Sequence, residues 1–84
     1  MEHTVYILYS IIKNKYYIGY TANIEEKIVR HNQKPKGFTG STNDWQLVYS
    51  EKYESKSEAL MREKQIKNWK SRTKIEELVK SFNL

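Results

Sequence analysis

The chain has 84 residues and a formal charge of +5, which suffices for one small core and not for two, so a single domain over residues 1–84 is expected. The charge favours a polyanionic partner without requiring one. The absence of cysteine excludes disulfide staples and thiolate metal sites, leaving packing to hold the fold.

The opening Met-Glu-His-Thr lacks the basic and hydrophobic regions of a signal peptide, and no apolar run approaches the roughly 20 residues of a membrane span. A cytoplasmic protein without a membrane segment is therefore expected. Val5 to Tyr9 is β-branched and aromatic, and its nearly continuous apolarity predicts a strand covered on both faces. A period of two puts Tyr6 and Leu8 on one face and Val5, Ile7 and Tyr9 on the other. Ile11 to Lys15, with Asn14 as turn former, has the length of a hairpin connection. Tyr16 to Tyr20 then returns as the partner strand, with Tyr17 and Gly19 sharing a face. A glycine inside a strand marks either a bulge or a place where another group approaches closely.

Asn23 followed by Glu26 resembles a capping box and predicts a helix from about Ile24 to Gln33, with Ile24 and Ile28 as its inner stripe. On a wheel of about 100° per residue, Lys27 and His31 fall within about 60° of Ile24, on the inward side or its edge. Arg30 lies further round, toward solvent. Alone, such a histidine would be a hydrogen-bonded structural residue and such a lysine would snorkel. Asn32 to Asp44 is polar, carries Lys34 and Lys36, and reads as a long loop. Trp45 to Ser50 alternates as a third strand, with Trp45, Leu47 and Tyr49 expected on one buried face beside the hairpin.

Ser55 and Glu58 open a helix expected from Lys56 to Lys70. Ala59 and Ile66 define its inner stripe, and Glu63 falls between them. An ionised carboxylate on an apolar face must be paired, hydrogen-bonded or bound to a metal. A salt bridge to a lysine or arginine and a metal site are both open. Thr73 with Glu76 predicts the cap of a last helix, whose stripe of Ile75, Leu78, Val79 and Phe82 is core. Between these caps Lys56, Arg62, Lys64, Lys67, Lys70, Arg72 and Lys74 form a basic cluster that could track phosphates or simply be solvated.

If Tyr6, Tyr17, Lys27, His31 and Glu63 converge, they hold what metal-assisted phosphodiester hydrolysis needs. A lone carboxylate, Glu63, suits magnesium, which keeps much of its water. Lys27 would neutralise the charge that develops on phosphorus. A tyrosine phenolate, or a metal hydroxide, would take the proton of the attacking water. A phenol with an unperturbed pKa of about 10 needs neighbouring cations for that role.

Val5-Tyr6-Ile7-Leu8-Tyr9, then Tyr17-Ile18-Gly19-Tyr20-Thr21, then a helix ending in His31-Asn32, resembles the GIY-YIG nucleases. Tyr6 matches the tyrosine of the first motif, although Thr4-Val5 stands for its Gly-Ile, and Tyr17-Ile18-Gly19 matches the second. Ala59 to Lys67 resembles the metal-binding helix, with Glu63 as ligand. The likeness extends over nearly the whole chain and is greatest to short bacterial members made of this domain alone.

The resemblance implies an α+β fold of order ββαβαα, a three-stranded antiparallel sheet flanked by helices. It also implies a magnesium-dependent endonuclease, with manganese as the alternative ion, acting on branched or duplex DNA. Tyr6, Tyr17, Lys27, His31 and Glu63 would form the site, and Arg30, Lys34, Lys36, Lys64, Lys67 and Lys70 would contact the nucleic acid. A protein partner for targeting is compatible with so small a module. Lys27 stands where the family usually carries arginine, and an ammonium cannot reproduce the bidentate grip of a guanidinium on phosphate. The alternative expectation is a nucleic-acid-binding module with weakened or lost turnover.

Overall fold

Val5, Tyr6, Ile7 and Leu8 are all buried in the first strand, as its uninterrupted apolarity requires of a strand covered on both sides. The computed structural model describes residues 2–33 and 44–82, with residues 30–33 described by their backbone alone. Its elements are β1 (His3–Ser10), β2 (Lys15–Thr21), α1 (Ile24–Gln33), β3 (Gln46–Tyr53), α2 (Lys56–Trp69) and α3 (Arg72–Phe82). The ββαβαα order is the one expected. The sheet runs β2-β1-β3 with both pairings antiparallel, so the central strand is the first in sequence.

Each face of the sheet has its own apolar cluster. On one, Val5 packs with Ala59 and Ile66 of α2, bordered by Ile18, Tyr20, Trp69, Ile75 and Leu78. On the other, Tyr6, Leu8 and Trp45 pack with Tyr17 and with Ile24 and Ile28 of α1. Burying each of these aliphatic side chains contributes roughly 1.5–3 kcal/mol against leaving it in water. Among the described residues no helix is long and apolar enough to cross a membrane.

The hairpin turn is braced from two directions. Asn14 takes a left-handed conformation with φ 53, which asparagine tolerates better than most residues. Arg72 donates to its carbonyl oxygen at 2.8 Å and to its Oδ1 at 2.6 Å. Asp44 accepts from Ser10 Oγ at 2.6 Å and from the Ile12 amide at 2.9 Å.

Three local expectations change. Trp45, Leu47 and Tyr49 do not share a face. The β1–β3 register shifts between Ile7, which faces Tyr49, and Leu8, which faces Leu47. Val48 is the extra residue of this bulge and reverses the parity of the strand. Trp45 therefore joins Tyr6 and Leu8, while Tyr49 turns to the other side and meets the Phe82 ring edge-on at 5.4 Å. The last helix is capped by Ser71, whose Oγ accepts from the Lys74 amide at 3.3 Å, and not by Thr73. Lys70 ends α2 in the left-handed region, so the chain re-enters a helix two residues earlier than the Thr73-Glu76 pattern predicts. The α3 stripe is rim and not deep core, because no residue of α3 is fully buried and Phe82 is exposed.

Candidate active site

Tyr6 and Gly19 are paired across β1 and β2, and the tyrosine ring lies over the glycine. A Cβ built on Gly19 would sit 2.5 Å from Tyr6 Oη and 2.6 Å from Tyr6 Cζ. The glycine is thus a close-approach residue and not the bulge, which lies in β3. Tyr17, one pleat away on the same face, brings its ring centroid to 6.3 Å from that of Tyr6 and 6.4 Å from that of Trp45. Burial first, and then the neighbouring Tyr17 and Glu63, push the Tyr6 phenol above its ordinary pKa. The structure sets Tyr6 and Tyr17 side by side on one face, and the charge of the Glu63 carboxylate on α2 is felt at Tyr6.

Glu63 reaches this place because Ala59 and Ile66, both fully buried, fix the face of α2. Its side chain is only 20% exposed and lies 3.4 Å from Lys67 Nζ, one helical turn on. The salt bridge left open by the sequence exists, but with a half-exposed cation of the same helix. Such a surface partner contributes a few tenths of a kcal/mol and is readily exchanged.

Lys27 lies in the first turn of α1, half-buried, beside a cavity of about 180 Å³ that it lines with Thr21, Ala22, Asn23 and Glu26. The helix start is fixed by Asn23, whose Oδ1 accepts from the Glu26 amide at 3.1 Å. Thr21 Oγ1 accepts from the Asn23 amide at 3.0 Å, a role that a full capping box would give to Glu26. Ile24 and Ile28 anchor α1 against Tyr6 and Leu8, which sets Lys27 on the tyrosine side of the sheet. His31 and Arg30 belong to α1 by their backbone, and their side chains lie outside the described residues, as do Lys34 and Lys36. Lys64, Lys67 and Lys70 are exposed.

Two arginines of the expected basic cluster serve the fold instead. Arg62 Nε donates to Glu51 at 3.0 Å, its Nη2 donates to the same carboxylate at 3.1 Å, and its guanidinium lies 5.5 Å from the Trp69 ring centre. Arg72 is held by Asn14 and Glu76 and lies over Tyr16. Glu51, passed over in the sequence, also accepts from the Tyr49 and Tyr53 hydroxyls. Burial alone would raise its pKa, but the bonds from Arg62, Tyr49 and Tyr53 outweigh burial and hold the carboxyl below its usual range. Its sequence signal was the period-two series Tyr49, Glu51, Tyr53, an acid between two tyrosines on one face.

Among the described residues no three His, Cys, Asp or Glu side chains gather as metal ligands. Glu63 offers one carboxylate, partly shielded, whose charge disfavours ionisation of the Tyr6 phenol. That donor set fits a hard divalent cation that keeps most of its water.

A family model described as the GIY-YIG catalytic domain matches residues 2–76. A UPF0213 protein of Staphylococcus haemolyticus is 40% identical over 75 residues, which span 88% of this chain and 90% of its own. A UPF0213 protein of Natronomonas pharaonis is 38% identical over 79 residues, spanning 93% and 91%. The solution NMR structure of a UPF0213 protein from Bacillus halodurans is similar with a TM-score of 0.61 and 34% identity, covering 95% of this chain and 84% of that one.

Proposed function

We propose, from the premise that the chain belongs to the GIY-YIG catalytic-domain family, that it is a magnesium-dependent endonuclease hydrolysing phosphodiester bonds in DNA, structure-selective or nonspecific. The observation that carries this reading is the Tyr6 ring laid across Gly19 with Tyr17 beside it and the charge of Glu63 reaching its hydroxyl. Glu63 would hold the cation, and manganese could replace magnesium there. Bound at Glu63, the cation supplies charge stabilisation at the phosphate and the leaving oxygen.

The protein's own residues divide the remaining work. A water oxygen bonds to phosphorus while the bond to the leaving sugar oxygen breaks. Tyr6, with its raised pKa, stays protonated and donates a hydrogen bond to the phosphate or the water. Tyr17, nearer the rim, is the residue left to act as general base toward the attacking water. Lys27 and His31 complete the set, Lys27 as the cation that opposes the negative charge growing on phosphorus.

The test is cleavage of labelled branched, nicked and duplex DNA with and without magnesium. Products from the wild-type chain and none from Glu63→Ala are expected, and equal product from both would remove Glu63 from the site. A second reading, a binding module without turnover, is favoured by Lys27 in place of a guanidinium. It predicts salt-sensitive binding with no product, and cleavage gained by Lys27→Arg would identify an otherwise intact site.

A further inference from the structure

A cavity of about 240 Å³ opens between the start of β2 and the α2–α3 junction, lined by Lys15, Tyr16, Lys67, Lys70, Arg72 and Ile75 among others. Four of these are cations, and they are not equivalent. Arg72 is a wall, bonded to Asn14 and stacked over Tyr16 at 5.3 Å. Lys67 is shared, because its ammonium also meets Glu63 at 3.4 Å.

Lys70 is the informative one. It is exposed, has no ion pair among the described residues, and occupies the left-handed cap of α2 with φ 50 and ψ 33. Glycine is the residue suited to that conformation, because a Cβ crowds the backbone there. Lys67 already provides a basic side chain in the last turn of the helix, so the dipole does not call for a second. A lysine held where glycine would be less strained points to a use for its ammonium. Along α2, Lys67 stands about 6 Å and Lys70 about 10.5 Å beyond Glu63 at the rise of an α-helix. The cations therefore form a row leading from the candidate metal carboxylate into the cavity.

We propose that this cavity binds a phosphate of the nucleic-acid strand flanking the one that is cleaved, held by Lys70, Lys67 and Lys15. The assignment rests on the nuclease reading for its geometry, and its test is independent of turnover. A fluorescein-labelled DNA duplex is titrated with the full chain by anisotropy, without divalent ions, from about 50 to 200 mM salt. Lys70→Gly is expected to weaken binding several-fold and to make the slope of log affinity against log salt shallower by about one. Its thermal midpoint should equal or exceed that of the wild type, since the cap is relaxed.

Unchanged affinity and slope in Lys70→Gly overturn the proposal. So does an equal loss in Lys80→Ala, on the exposed face of α3, because the effect would then be one of net charge. The hydrolase reading fails separately. If the wild type cuts no DNA in magnesium yet keeps the Lys70-dependent slope, the phosphate site stands and the nuclease does not.

Discussion

The contact between Tyr6 and Gly19 cannot absorb a methyl group. Tyr6 is 1% exposed and packed by Leu8, Trp45 and Tyr17, so its ring has nowhere to retreat from a Cβ at 2.5 Å. Gly19→Ala should cost about 1–3 kcal/mol, the usual penalty of overpacking a filled core, read as a lower denaturant midpoint, with loss of any cleavage. Burial also gives these tyrosines a signature at high pH. The Tyr6 phenol is pushed above its ordinary value, and that of Tyr49 is pushed up to about 12 by burial and its bond to Glu51. In each case the folded state holds the proton more tightly than the unfolded chain. Their contribution is therefore complete below the unfolded value of about 10 and is lost as pH rises through the folded one. Urea midpoints should be flat to about pH 9 and fall above about pH 10, and Tyr6→Phe should fall less steeply than the wild type. Facing was legible here in the sequence, because period two put Tyr6 on one strand and Tyr17 and Gly19 on the other on sides that could meet. Whether Gly19 is a bulge or a place of close approach was not, since only the pairing register brings the ring over it.

At the scale of elements, the Arg62–Glu51 ion pair ties α2 to β3, beside the packing of Tyr53 on the Ala59 and Ile66 cluster. Arg62 and Glu51 are 23% and 17% exposed, and the carboxylate also collects the Tyr49 and Tyr53 hydroxyls. Arg62 immediately precedes Glu63, so the same bonds that dock the helix set the height of the candidate metal carboxylate. Glu51→Ala should cost about 2–3 kcal/mol, since it strands a partly buried guanidinium and two phenols. Glu51→Ala combined with Arg62→Ala should cost less than the sum of the two. Thermal denaturation of the four proteins checks this, and strict additivity would show that the pair is not coupled. Helix ranges were legible because apolar periodicity and Ser, Asn and Glu caps are local signals. The parity of β3 was not. A bulge is defined by the partner strand, and nothing within Trp45-Gln46-Leu47-Val48-Tyr49 reports that Val48 is unpaired. The Ser71 cap escaped for a similar reason, because the Thr73-Glu76 pattern is valid and the left-handed turn at Lys70 is what moves the start.

Across the whole molecule, the sheet is a wall between two apolar clusters, and the candidate site draws on both sides of it. Tyr6, Tyr17 and Lys27 belong to the α1 side, while Glu63 comes from the helix packed on the other. A sequence reading could name these residues, since each carries chemistry at a motif position. The approach of Glu63 to the sheet is not written in the chain, because it depends on how α2 crosses β1 and β2. The same limit explains Arg62 and Arg72. Counted along the chain they belong to a basic cluster, and in the fold their charges are spent on Glu51 and on the hairpin turn.

The fit of Tyr6 over Gly19 also restricts the order in which such a chain can change over generations. Any side chain at position 19 collides with the ring, and any smaller residue at position 6 leaves a cavity where the ring was. Each single step is penalised by about 1–5 kcal/mol, a large share of what holds so small a domain together. A side chain gained at position 19 is therefore best offset by a smaller residue at position 6, which opens the space it needs.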